Sequence, residues 1–234
     1  MTINIPFLID TFLKACYAIP VTLCITIASL LIALPLGFFM SLSRIYKVRF
    51  LRQFSLVYIS FIRSTPIVLQ ILLVYSLLPS LINAFVIRHN IPINVFDINP
   101  IIYAIIVFAL NTTAGAAEIW RAALLTVDNG QMEAAKVLGF SKTQTYLRII
   151  IPQSLSAAIP NLCNLTVNLI KSTSLAFIMT VKDLTAVAKI AASYAYNYVE
   201  AYLDIFVIYL IICTVTQKLF AVIERKITAY RGHL

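Results

Sequence analysis

Charge is what this chain has least of. Only 12% of its 234 residues are Asp, Glu, Lys or Arg, whereas 61% are hydrophobic and the mean hydropathy is +0.94. Soluble domains carry about 25% charged and about 45–50% apolar residues. A water-soluble fold of this size has no means of covering so much apolar surface, so an integral membrane protein is expected. Glycine is scarce too, at five residues, and there is no G-x-x-x-x-G-K-[S/T] run to hold the phosphates of ATP. His89 and His233 stand alone, with no histidine–acid–nucleophile or metal-ligand constellation around them, and an enzyme is not expected. Cys16, Cys24, Cys163 and Cys213 all lie in apolar stretches without a C-x-x-C pair. They read as small apolar residues facing lipid or core rather than as disulfides or a metal site.

The net charge of +9 would point to nucleic acid in a soluble protein. Here no basic and aromatic residues interleave, and the basic residues flank apolar runs, where they fix orientation in a bilayer. A span needs about 20 mostly apolar residues, and five candidates occur, near 17–42, 58–82, 100–117, 155–178 and 200–222. The run from Lys14 to Arg44 is far longer than the roughly 7–15 apolar residues of a signal peptide, so it reads as a retained span. The segments are apolar all round, which predicts helices rather than the alternating strands of a barrel.

Basic residues concentrate after the first span (Arg44, Lys47, Arg49, Arg52, Arg63), after the third (Arg121, Lys136, Lys142, Arg148) and at the C-terminal end (Lys218, Arg225, Lys226, Arg231). The other connections hold only Lys14, Arg88, Lys182 and Lys189. With five spans this alternation places the N-terminus outside and the C-terminus in the cytoplasm. Pro79, Asn90, Pro92, Asn94, Asp97 and Asn99 predict an outer loop over 79–99. The small residues and tyrosines of 182–199 suit short interfacial helices at the outer surface.

One connection is more structured than a linker. Gln131 to Leu138 are good helix formers, and Gly139 can end that helix in the left-handed conformation. Ser141 and Gln144 then have the spacing of a capping box for a second short helix. Tyr146, Ile149 and Ile150 share a face of that second helix, and Pro152 marks the start of the fourth span. Two short helices joined at a glycine bend could be an ordinary interfacial hairpin. They could also be a rigid knob through which a partner moves the spans.

Glu133-Ala134-Ala135, three residues, Gly139 and then Ile151-Pro152 resemble the EAA loop of ABC-importer permeases with the type I fold. Phe61-Ile62-Arg63-Ser64-Thr65-Pro66 with Gln70 is similar to the F-R-G-T-P…Q pattern of amino-acid permeases. Ala117-Glu118-Ile119-Trp120-Arg121 with Gly130-Gln131 resembles their A-E-x-x-R…G-Q stretch, and Lys171-Ser172-Thr173-Ser174-Leu175 their K-x-T-S-L segment. The four motifs occur in order across roughly residues 58–180. Ser64 replaces the usual glycine, and Gly115 stands where an aromatic residue is usual.

The resemblance implies an all-α integral membrane protein: one ABC-importer type I transmembrane domain over residues 1–234, with about five transmembrane helices and a cytoplasmic coupling (EAA) loop at 128–152. Glu133, Ala134, Ala135 and Gly139 are then the residues expected to meet the ATPase. The implied partners are a pair of ATP-binding subunits, a second permease copy or paralogue, an extracytoplasmic solute-binding protein and the lipid bilayer of the bacterial cytoplasmic membrane. No nucleic acid is implied. No cofactor is expected on this chain, and ATP and Mg belong to the partner. Asp97 is a candidate contact for the binding protein.

An ionisable residue at membrane depth is a functional candidate by default. Lys171 is the clearest, and Asn164, Asn168 and Lys171 fall on one helical face. With Ser172, Thr173 and Ser174 they could line a polar path in which the ammonium attracts a substrate carboxylate. Alternatively, Lys171 snorkels to the outer interface or bonds carbonyls at a broken helix. Gln70 either faces the same cavity or bonds between helices. Glu118 and Arg121 have the spacing of a local ion pair.

The expected function is import of a polar amino acid by alternating access. Ser174-Leu175-Ala176-Phe177 to Val181, Asp183 and Ala188-Lys189 resemble cystine permeases, although arginine, glutamine and histidine systems share most of the motifs. The rival is an ion- or proton-coupled secondary transporter. Inverted repeats and a buried proton-relay acid would favour it; no repeat is evident, and Glu118 is the one candidate acid.

Overall fold

The computed structural model describes residues 3–231, and every regular element among them is a helix. α1 (Ile5–Tyr17) starts at Asn4, whose side chain accepts the Phe7 amide at 3.2 Å. It runs through a slight joint at Ala18 into α2 (Ile19–Ile45), which has Pro20 in its first turn, where proline is tolerated because its missing N–H has no intrahelical partner to lose. The 41-residue run Ile5–Ile45 is about 60 Å long at 1.5 Å per residue, about twice the thickness of a bilayer core. The helix expected at 17–42 therefore extends well beyond one span.

α3 (Arg49–Ser64) and α4 (Ile67–Arg88) replace the single span expected at 58–82. They are separated because Thr65 precedes Pro66 and is extended, at φ −112°, ψ 140°, the conformation that a following proline imposes. α4 then continues through Pro79, so the loop expected at 79–99 shortens to 89–99. Proline inside a membrane helix is tolerated where neighbours restore the freed backbone group. The shortened loop holds a 3₁₀ turn at Val95–Asp97, and Asn99 caps α5 (Pro100–Leu125).

α6 (Asn129–Val137), α7 (Lys142–Thr145) and a π turn at Tyr146–Ile150 lead directly into α8 (Ile151–Ser172). A 3₁₀ stretch (Thr173–Met179), α9 (Leu184–Ala195) and α10 (Tyr198–Arg231) complete the chain. Five helical runs are long and apolar enough to cross a membrane: Ile5–Ile45, Ile67–Arg88, Pro100–Leu125, Lys142–Met179 and Tyr198–Ile227.

α5 is the central post. It lies so close to α2 that a Cβ on Gly37 would come within 2.8 Å of both Ala116 Cβ and the Ala117 backbone nitrogen. Small residues permit such approach between membrane helices. Above this seam Ile25, Ile71, Tyr103, Val107, Phe108 and Met179 form the main core. A second core joins α1, α9 and α10 through Ala15, Leu184, Ala188, Ala192, Ala201 and Ile208. The segment expected as short interfacial helices at 182–199 holds one helix, α9, packed on its alanine face, with Ile190, Tyr194 and Tyr196 among its exposed residues. Leu69, Leu73, Leu77 and Leu81 are exposed along one stripe of α4, as expected where lipid is the solvent.

Candidate functional site: a surface knob and a polar helix face

The knob is built by local hydrogen bonds. Asp128 caps α6 by accepting the Gly130 amide at 2.7 Å. At the other end Gly139 takes φ +80°, a conformation that costs a residue with a side chain about 1–2 kcal/mol. It lets the Phe140 amide reach back to the Ala135 carbonyl at 3.0 Å and the Gly139 amide to Lys136 at 3.1 Å, closing the orphan carbonyls of the helix end. The capping box forms as the spacing predicts. The Gln144 amide donates to Ser141 Oγ at 3.3 Å, and the Ser141 amide to Gln144 Oε1 at 2.9 Å.

Within the knob Ala135 is buried, whereas Glu133, Ala134 and Gly139 are exposed. Val137 and Leu138 are exposed too, at 87% and 75%, an unusual cost for two aliphatic residues at a helix end. A cavity of about 580 Å³ separates the knob from the end of α2, lined by Tyr46, Met132, Glu133, Lys136, Phe140 and Tyr146 among others. The knob touches α2 through Tyr46 and Tyr146, whose rings are 6.0 Å apart.

Behind the knob, Glu118 on α5 is paired with Arg44 on α2 and, at 3.3 Å, with Arg121 one turn along α5. The expected Glu118–Arg121 pair is present. Arg44, read from the sequence only as an orientation signal, joins it because α2 and α5 run in such close contact. Trp120 donates its indole N–H to the Leu34 carbonyl at 3.2 Å and adds a second tie between the same helices.

The polar residues of α8 divide. Asn164, Asn168 and Lys171 lie together on one exposed face. The three following hydroxyls turn back on the helix: Ser172 to Asn168 O at 2.8 Å, Thr173 to Ile170 O at 2.6 Å and Ser174 to Lys171 O at 2.7 Å. Thr173 is fully buried, so of the three only Ser172 and Ser174 reach the surface beside Lys171.

Gln70 is buried and its amide is committed. Nε2 donates to Ile62 O at 2.9 Å and to Thr65 Oγ1 at 2.8 Å, and Oε1 accepts from Asn111 at 3.0 Å. Gln70 thus bridges the break between α3 and α4 and ties it to α5. Of the two readings open for it, the contacts are those of a helix-to-helix bond. At Gly115, where an aromatic side chain is usual, even a Cβ would lie 2.8 Å from Leu165.

Several pairings have no local signal in the sequence. Tyr75 and Thr180 hydroxyls meet at 3.1 Å, across 105 positions. Lys189 sits 3.9 Å above the Phe177 ring. Asp183 is wholly buried and caps α9, accepting the Thr185 and Ala186 amides at 3.1 and 2.9 Å. Burial raises its carboxyl above the usual range, and these amides pull against that rise. Glu200 and Asp204, at the start of α10, are buried too. Glu200 accepts the Asn4 amide at 2.9 Å. The Tyr75–Thr180, Lys189–Phe177 and Glu200–Asn4 contacts form only when separate segments pack, whereas the Asp183 cap is local. His233 lies outside the described residues.

Among the described residues, five long apolar helices, with a two-helix knob leading into the fourth, define a multi-span membrane protein. The chain belongs to the family of binding-protein-dependent transport system inner membrane components, which it matches over residues 33–229. It is 36% identical to the L-cystine transport system permease protein TcyL of Bacillus subtilis, over 89% of this chain and 85% of that protein. It is also 36% identical to TcyB, another L-cystine transport system permease of the same organism, over 92% of this chain and 85% of that protein. Among solved structures, an amino acid ABC transporter crystallised with histidines matches with TM-score 0.78 and 27% identity, over 97% of this chain and 100% of that one. The chain is accordingly a transport component of a bacterial inner membrane and not itself an enzyme. Membership in this family entails an ATPase and a binding protein as partners and sets aside the ion-coupled rival.

Proposed function

We propose that this subunit imports a polar amino acid, with cystine the leading candidate, using ATP and Mg held on a separate pair of subunits. A second permease copy or a paralogue completes the pathway, and an extracytoplasmic binding protein delivers the substrate. Residues 1–234 act as one transmembrane domain, with the N-terminus outside and residues 128–152 as the cytoplasmic coupling loop. The observation that carries this function is the knob itself. It is braced at both helix ends, bears exposed aliphatic residues at its tip and runs without interruption into α8.

In this mechanism the ATPase cleft holds Glu133, Ala134, Ala135 and Gly139, with Val137 and Leu138 filling apolar pockets. Closure of the ATPases moves the knob, and α8 carries that movement into the membrane. The exposed Asn164, Asn168 and Lys171 face, with Ser172 and Ser174, borders the path. There the Lys171 ammonium attracts the substrate carboxylate, and the asparagines supply donors and acceptors that replace water. Thr173 and Gln70 act indirectly, by fixing the backbone at the end of α8 and at the α3–α4 break. The similarity to two L-cystine permeases supports cystine.

The decisive experiment is site-specific crosslinking in the assembled transporter, with single cysteines across 131–142 in a cysteine-free chain, paired with uptake of labelled cystine. Crosslinks to the ATPase that change with ATP, together with cystine uptake that unlabelled cystine competes away, are expected. Absence of any ATPase crosslink in a complex that transports would overturn the coupling role. Uptake of another amino acid in preference to cystine would correct the substrate alone. Lys171→Gln should raise the KM for uptake while leaving assembly intact; an unchanged KM would remove Lys171 from the path.

A further inference from the structure

Between Asp10 and Asp97 the sequence has no acidic residue. In the middle of that stretch α3 carries Arg49 and Arg52, directly after Lys47, and none of the three has an ion-pair partner among the described residues. Glu118, which shares a cavity with the second half of α3, is already held by Arg44 and Arg121, and Glu133, across a cavity from Tyr46, forms no ion pair with the three among the described residues. The first turn of α3 contains no acid, and no side chain caps it. Its leading amides therefore point, with the positive end of the helix dipole, into the same basic region.

The remainder of α3 is two-faced. Ser55, Ile59 and Ile62 are buried, and Ile59 and Ile62 pack on Ala114 and Ala117 of α5. Phe50, Phe54, Val57 and Phe61, at spacings of four, three and four, form the opposite stripe, with Phe50 81% and Phe61 60% exposed. α3 is not one of the helices long and apolar enough to span. Its second half reaches the middle of the spanning helix α5, where Tyr58 donates to the Leu110 carbonyl at 2.6 Å, so the basic start of α3 lies nearer the membrane surface and the phenylalanine stripe runs inward from it.

We infer that Lys47, Arg49, Arg52 and the uncapped amides of α3 form a binding site for the headgroup of an anionic phospholipid, whose acyl chains lie along Phe50, Phe54, Val57 and Phe61. The charge has the sign that recognises a lipid phosphate, and the adjoining apolar stripe has the composition that recognises acyl chain. The two are continuous on one helix, which favours a lipid over a soluble acidic partner. Arg44 contributes little directly, since its guanidinium is committed to Glu118. The site is distinct from the knob and from the polar face of α8. It depends on membrane insertion, which the family establishes, and not on the proposed substrate.

The test is native mass spectrometry of the purified, delipidated transporter titrated with phosphatidylglycerol and, separately, with phosphatidylcholine of the same acyl chains. A basic residue near an anionic surface is worth about fivefold in partition. The wild type should retain phosphatidylglycerol in preference, and the R49Q/R52Q double variant should lose about 25-fold of that preference. R225Q/K226Q, which removes the same charge from the far end of α10, should keep it. If the double variant does not assemble, K47Q alone should still cost about fivefold. Equal retention of the two lipids by the wild type would overturn the site, as would undiminished preference in the α3 variants. So would protection of cysteines at 49 and 52 by the ATPase, which would assign the patch to a protein partner.

Discussion

Two glycines sit in opposite circumstances, and the difference sets what an added methyl group would do. At Gly37 the space is filled by the Ala117 backbone, which has no rotamer to change, so overpacking must separate α2 from α5. Gly37→Ala is expected to cost roughly 1–3 kcal/mol, seen as a lower unfolding temperature of the solubilised transporter. At Gly139 nothing lies within 4 Å of the missing Cβ, and the obstacle is φ +80° alone. Gly139→Ala should leave the unfolding temperature of the spans unchanged and cost about 1–2 kcal/mol at the knob, read as weaker ATPase association. The opposite ordering would mean that the α2–α5 seam is looser than its geometry. Asp183 adds a pH dependence. Burial makes its folded carboxyl hold a proton to higher pH than the unfolded chain does, so between the two values the folded state binds more protons. Its contribution to stability therefore falls as pH rises through that window and is level above it. The thermal midpoint of the wild type relative to Asp183→Asn should slope downward from acid toward neutral pH; a flat difference would show that the capping amides cancel the effect of burial, and an upward slope that they outweigh it.

At the scale of elements, legibility tracks the range of the interactions. Gly139, Ser141 and Gln144 act within four residues of one another, and the knob was readable from sequence to within a residue or two at the first helix. Asn99 and Pro100 likewise announced the start of α5. The α3–α4 break was missed although Thr65-Pro66 signals it, because the apolar residues on both sides merge into one hydrophobic run. α4 outlasted Pro79 because helix is the only backbone form a single segment can sustain in lipid. The burial of α9 and the bridge from Gln70 to Asn111 depend on which helices meet, and spacing along the chain does not encode that. The capping box offers a test at this scale. Ser141→Ala removes the acceptor for the Gln144 amide, a loss of about 0.5–2 kcal/mol confined to α7. Faster hydrogen exchange at residues 142–145 is expected, with unchanged exchange in α5 and α8. Unchanged exchange at α7 would mean that packing rather than the cap holds it.

At the scale of the whole molecule, the question is how force applied at a surface knob reaches residues deep in the membrane. α2 and α5 are tied by the Gly37 seam, by the Arg44–Glu118 pair and by the Trp120 hydrogen bond, so they should move as one body. The knob joins that body through the short non-helical connection 126–128 and otherwise meets it across the 580 Å³ cavity and the Tyr46–Tyr146 contact, which makes a poor lever. Its helical connection is to α8, through the π turn at Tyr146–Ile150. Movement should therefore pass along α8 toward Lys171 while α2 and α5 remain the fixed frame. Softening the joint tests this without disturbing either end. Leu147 and Arg148 are exposed, and replacing both with glycine costs about 1 kcal/mol each in helix propensity while removing no buried contact. In Leu147→Gly/Arg148→Gly the transporter should still assemble and hydrolyse ATP, but uptake per ATP hydrolysed should fall several-fold. Uptake that keeps pace with hydrolysis would show that the knob drives the α2–α5 body directly, and the rigid frame would then have to be sought among α9 and α10.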